Sequence, residues 1–195
     1  MENINLFLPE IFLAISILAT LMIGVFFKNS YGLVTGIVCG IIIALILIIL
    51  DSFSESFKLF SNSFISNSFT NFFKILILIG SFFILIITQS FIKETKINYF
   101  EYSIVLLLSV LGMFIMISAN DLILFYLGLE LQSLSLYILA SLDRDNLKSN
   151  ESGLKYFILS SLASGLLLYG CSLLYGFSGS TNFDLIKMNT NTENV

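Results

Sequence analysis

Apolar residues fall into six long runs separated by short polar breaks, at residues 10–27, 31–50, 73–92, 100–118, 122–142 and 153–177. Each run approaches the roughly 20 helical residues needed to cross a hydrocarbon core of about 30 Å. Lipid offers no partner to a backbone N–H or C=O, so such runs must bond internally as helices. Pro9 fits the first position of the first helix, where its missing N–H costs nothing. The pattern predicts an all-α, polytopic membrane helix bundle of about six transmembrane helices. Residues 1–99 would supply three N-terminal helices with an interfacial loop at 51–72, residues 100–178 helices four to six, and residues 179–195 a polar tail.

The breaks refine this layout. Ser118-Ala119-Asn120-Asp121 is so short that helices four and five must be antiparallel neighbours, with Asn120 or Asp121 capping the fifth. Between helices two and three, Phe53, Phe57, Phe60 and Phe64 recur at helical spacing, as in a segment lying in the interface plane. An irregular loop with its aromatics tucked against the bundle fits that segment equally well. Lys28, Lys93, Lys96, Arg144 and Lys148 fall in alternate loops from Lys58, Lys74 and Lys187, which turns the first set toward the cytoplasm or matrix and both termini outward. On the sixth helix, Ser160 with Ser164 and Ser161 with Gly165 are small residues four apart, a pattern that lets another helix approach closely.

Composition narrows the chemistry. At 57% hydrophobic residues, too few polar side chains remain to cover a water-soluble globule. Nine Lys and Arg against thirteen Asp and Glu leave no basic patch for nucleic acid. Histidine is absent, which removes the commonest catalytic base and transition-metal ligand. Cys39 and Cys171 stand apart without metal or redox spacing, so neither a metal site nor a bound cofactor is expected. Twenty Phe with no Trp and one Pro indicate drift toward A- and T-rich codons, hence an organelle-encoded chain or one from another AT-rich genome. The N-terminus carries neither basic region nor cleavage site, so no leader is expected to be removed.

One residue resists a purely structural account. Glu130 lies mid-way along the fifth run, where a short acid can reach neither surface and an ionised one costs about 2.5–3.5 kcal/mol on insertion scales. Tyr126, Glu130, Ser133 and Tyr137 recur at intervals of four, three and four, placing two phenols, a hydroxyl and the carboxylate on one helix face. A buried carboxylate beside a titratable cation can exchange a proton, and Lys155, expected near the start of helix six, is the nearest candidate. Tyr126, Ser133 and Tyr137, with water, could extend the path. The competing readings are a Glu130 that only locks packing and a Lys155 that snorkels to the headgroups.

The run Ile117-Ser118-Ala119-Asn120-Asp121-Leu122 and the run Tyr126-Leu127-Gly128-Leu129-Glu130-Leu131-Gln132-Ser133 resemble subunit 2, the bacterial N subunit, of proton-pumping NADH:quinone oxidoreductase, respiratory complex I. Gly153-Leu154-Lys155-Tyr156-Phe157, Ala163-Ser164-Gly165-Leu166 and Gly179-Ser180-Thr181-Asn182-Phe183 continue the resemblance in order. It implies an antiporter-like subunit in which Glu130 matches a buried Glu of the fifth helix and Lys155 a basic position of the sixth, both serving proton translocation. Sister subunits and multisubunit cation/proton antiporters commonly carry Trp before this Glu. Leu129 here favours subunit 2.

Family members typically have fourteen helices, so six imply the N-terminal part of a split subunit, with a separate chain supplying the later lysine-bearing helices. Other membrane-arm subunits and membrane lipids would be its partners. FMN, iron–sulfur clusters and ubiquinone would sit in other subunits, and the location would be the mitochondrial inner membrane or a bacterial plasma membrane. A structural or assembly component of the complex, and a subunit of a cation/proton antiporter, are the alternatives.

Overall fold

The computed structural model describes residues 7–26, 31–51, 57–95 and 100–192, without the side chains of Tyr31, 89–95 and 190–192. Its helices are α1 (Leu8–Phe26), α2 (Tyr31–Asp51), α3 (Ser68–Thr95), α4 (Glu101–Ser118), α5 (Leu122–Ala140), α6 (Leu147–Ser178) and α7 (Phe183–Thr192). The first six are long and apolar enough to cross a membrane. Helix α1 packs on α2 and α4, and α3 packs on the same two, so α1 to α4 close into a four-helix unit. Leu13, Val38, Leu45, Leu78, Leu107 and Phe114 fill its centre, while Ile15, Leu18, Leu47 and Ile87 point outward. Lipid tails are as apolar as these side chains, so the unit is held by close packing and buried polar bonds rather than by exclusion of water.

Helix α5 doubles back along α4, and α6 touches only α5 and α7 to any extent. Among the residues of α6, only Gly153 and Ser178 are buried. Small residues expected to receive another helix, Ser161 and Gly165, lie exposed on it, and a Cβ built on Gly165 would meet nothing.

Four segments depart from the sequence pattern. Among the described residues, the aromatic segment after α2 does not continue as a helix. It is a hairpin of β1 (Phe57–Leu59) and β2 (Phe64–Ser66), with Phe57 opposite Ser66 and Leu59 opposite Phe64. Its tip holds Phe60, Ser61 and Asn62 at φ of 50°, 55° and 68°, a left-handed turn that breaks helical periodicity. Phe64 is buried against the bundle and Phe60 is exposed, while Phe53 lies outside the described residues.

Helix α3 starts at Ser68 rather than 73, because Thr70 Oγ1 accepts from the Asn67 amide at 2.8 Å and caps a polar first turn that hydropathy passes over. Helix α6 likewise starts at Leu147 rather than 153, capped by Asn146, whose side chain accepts from the Lys148 amide. The polar tail contains α7, which follows Gly179 in a left-handed cap at φ 68°.

The α2–α3 hairpin, the α4–α5 turn and the α6–α7 turn meet at one end of the molecule. The Asn120 amide donates to the Ser63 carbonyl at 2.8 Å, and Asn120 Nδ2 donates to the Asn62 carbonyl at 2.9 Å. The Leu122 amide donates to the Thr181 carbonyl at 2.9 Å, and the Phe183 amide to the Asn120 carbonyl at 3.1 Å. Asn120 is therefore the hub of the knot, and Asp121 is the cap, its side chain accepting from the Ile123 amide at 2.8 Å. Of the charges used to orient the chain, Lys28 and Lys96 and the side chain of Lys93 lie outside the described residues.

Candidate functional site

Helix α5 carries the site, and its position is set by contact of backbone with backbone. A Cβ on Gly112 would come within 2.6 Å of the Gln132 amide nitrogen and 2.8 Å of the Gly128 carbonyl oxygen. A Cβ on Gly128 would come within 2.7 Å of the Met116 amide nitrogen. Only glycine at both positions lets α4 and α5 approach this closely, and Gly128 stands two residues before Glu130. The two glycines mirror each other across the 118–121 turn, a sign of close approach readable in the sequence that hydropathy does not weigh.

Glu130 sits at the middle of α5, half-buried overall, and its Oε1 is fully enclosed with no hydrogen-bond donor among the described residues. Tyr126 and Ser133 are half-buried beside it on the helix and Tyr137 is buried. The stripe exists, but its members do not form one chain of hydrogen bonds. Ser133 Oγ donates to the backbone carbonyl of Glu130 at 3.1 Å, a bond within the helix rather than to the carboxylate. Tyr137 turns its ring edge-on to Tyr156 and Phe157 of α6, at centroid distances of 4.9 and 5.8 Å.

Lys155 is not brought to Glu130. The early start of α6 places it more than two turns into the helix, where its ammonium pairs with Glu151 at 2.6 Å, both side chains mostly exposed. An acid four residues before a lysine is the favourable order on a helix. The expected partnership is thus replaced by a local pair on the open face of α6.

A second buried acid, Glu10, pairs with Lys74 in the four-helix unit at 2.5 Å. In the sequence both stand at the starts of apolar runs, and Lys74 is counted among the loop charges. Helical spacing offered a weak signal, since Thr70, Lys74, Leu78, Ser81 and Leu85 share one buried face of α3. Among the described residues no group of His, Cys, Asp and Glu is arranged to hold a metal ion.

A mid-helix acid on α5, packed closely on α4, can be compared with known proteins. The family described as "NADH:quinone oxidoreductase/Mrp antiporter, TM" matches residues 119–195. NADH-quinone oxidoreductase subunit N of Pelagibacter ubique is 52% identical over 187 residues, covering 95% of this chain and 40% of that protein. Nearly the whole of this chain is thus similar to part of subunit N. The subunit N protein of Rhodospirillum rubrum is 50% identical over 91% of this chain and 37% of its own length.

The chain spans about two-fifths of the length of these relatives. Among solved structures, a chain of respiratory complex I from Thermus thermophilus with bound aureothin aligns with a TM-score of 0.74 and 25% identity, over 89% of this chain and 38% of that one. A chain of the archaeal membrane-bound sulfane sulfur reductase aligns with a TM-score of 0.79 over 93% of this chain and 39% of its own. At 20% identity, that likeness speaks to fold alone. The antiporter-like membrane fold expected from the sequence is the fold found.

Proposed function

We propose that this chain forms part of the proton-translocating, antiporter-like subunit N of the complex I membrane arm. Proton movement there would be coupled to NADH oxidation and quinone reduction carried out in other subunits. The observation that carries the reading is Glu130, a mid-membrane carboxyl whose enclosed oxygen meets no donor among the described residues. An acid in that position can take up and release a proton, and water or an incoming side chain can complete its path. Lys155 serves the same path in a lesser role, as a charged group on the open face of α6 where later helices arrive. FMN, iron–sulfur clusters and ubiquinone belong to the neighbouring subunits in this reading.

The uncovered face of α6 is where the remaining helices of a full-length subunit N would pack. The sequence reading assigns them to a separate chain, and the packing argument holds whichever polypeptide carries them. Relatives in bacteria favour a bacterial plasma membrane, and the AT-biased composition favours an organelle-encoded chain of the mitochondrial inner membrane. Fractionation of the source cell decides between these two.

A subunit of a cation/proton antiporter is the second reading, favoured by the breadth of the matching family, whose description includes the Mrp antiporters. Affinity purification of the native complex followed by mass spectrometry separates the two. Flavin- and iron–sulfur-bearing subunits in the preparation are the expected result. A complex of antiporter subunits without redox proteins would overturn the complex I assignment.

A further inference from the structure

We propose that Glu10 and Lys74 form a closed ion-pair site that holds one internal water molecule beneath the hairpin and locks that end of the N-terminal four-helix unit. The pair lies on α1 and α3, outside the 119–195 region matched by the family model. Both side chains are almost fully enclosed, at 3% and 2% exposure. The Lys74 ammonium is capped on two sides by aromatic rings, with Phe64 of β2 at 5.4 Å and Phe114 of α4 at 5.8 Å from Nζ to ring centroid. Four elements therefore converge on one cation: an acid from α1, the lysine stem from α3, a ring from the hairpin and a ring from α4.

The hydrogen bonding at this site is incomplete in a matched way. Lys74 Nζ donates to Glu10 Oε1, whereas Glu10 Oε2 is buried and meets no donor among the described residues. An ammonium has three N–H groups, and an ionised carboxylate has about four acceptor positions. An enclosed carboxylate oxygen without a donor is costly, and a water that accepts from Nζ and donates to Oε2 removes the deficit on both sides. At the same end of α4, one turn beyond Phe114, the Ser118 hydroxyl is also buried without a partner among the described residues, which adds a polar group to the region.

The lock follows from the enclosure. Removing one member leaves an uncompensated charge among Phe64, Phe114 and the helices, whereas removing both leaves a neutral, apolar site. The test is cryo-electron microscopy of the native, lipid-embedded complex at a resolution that shows ordered water, with assembly of variants followed on native gels. The expected map has the ion pair intact and one density peak within hydrogen-bond distance of both Glu10 Oε2 and Lys74 Nζ. No peak, a protein donor on Oε2, or Lys74 turned away from Glu10 would overturn the water site. Glu10→Leu alone and Lys74→Met alone should each lower the assembled complex several-fold, and the double variant should recover most of it. A double variant as depleted as the singles would overturn the lock.

Discussion

In the proposed function the weight falls on one carboxyl group, and the residues around Glu130 fit a group that is poised rather than fixed. Its nearest helical hydroxyl, Ser133, is spent on a backbone carbonyl, and its enclosed Oε1 meets no donor among the described residues. An unmet buried acceptor costs about 1–3 kcal/mol or more, so the enclosed oxygen calls for water or a further side chain. Lys155 contrasts with it, because an exposed pair four residues apart on a helix contributes only about 0.3–0.5 kcal/mol. Lys155→Met should therefore assemble normally and reduce proton translocation less than a change at Glu130, as read in a vesicle pump assay. An equal or greater loss in the fully assembled Lys155→Met complex would show that Lys155 leaves Glu151 for the proton path.

At the scale of elements, the α4–α5 pair is the rigid part and the α2–α3, α4–α5 and α6–α7 knot is its clamp. Gly112→Leu and Gly128→Leu should each push α4 and α5 apart, costing about 1–3 kcal/mol or more from overpacking. Since both changes act on one contact, the double variant should lose less than the sum, in melting of the solubilised complex. Full additivity would place the two glycines in independent contacts.

The knot offers a pH-dependent contact at Asp184. Asn120 Nδ2 at 3.2 Å, followed by Lys58 Nζ at 3.3 Å, holds this carboxyl below its ordinary value. A depressed carboxyl stabilises fully above its unfolded pKa of about 3.9, and the contribution fades as pH falls through the lower folded value. Hydrogen exchange in α7 should quicken over that acid range, and Asp184→Asn should flatten the change. A pH response unaltered by Asp184→Asn would assign it elsewhere.

How far such elements were legible depends on what carries their signal. Hydropathy reveals the spans directly, and the four-residue turn at 118–121 makes the α4–α5 pairing unavoidable. The hairpin escaped because its phenylalanines keep a helical interval that three left-handed residues interrupt. The starts of α3 and α6 escaped because polar first turns read as loop. The Glu130 stripe could be read from periodicity, whereas the Glu10–Lys74 pair joins residues far apart in the chain and needed the fold to bring them together.

For the molecule as a unit, α1 to α4 are self-contained and α6 is not. Nearly every residue of α6 is uncovered, and its exposed Ser161, Gly165, Tyr169 and Lys155 are chemistry that lipid does not satisfy well. Expressed alone in lipid, the chain should therefore show α6 as its fastest-exchanging span, with protection restored in the full complex. Equal protection of α6 in both states would remove the case for covering helices.

The account as a whole stands on Glu130 as a titrating group. Glu130→Gln preserves shape and most hydrogen bonding while removing the proton it could carry. The decisive measurement is proton pumping by the reconstituted Glu130→Gln complex, with assembly confirmed on native gels. The account predicts that NADH oxidation by an artificial acceptor survives while quinone-linked turnover and proton translocation fall together. A fully assembled Glu130→Gln complex that pumps normally would contradict it and leave Glu130 a structural acid.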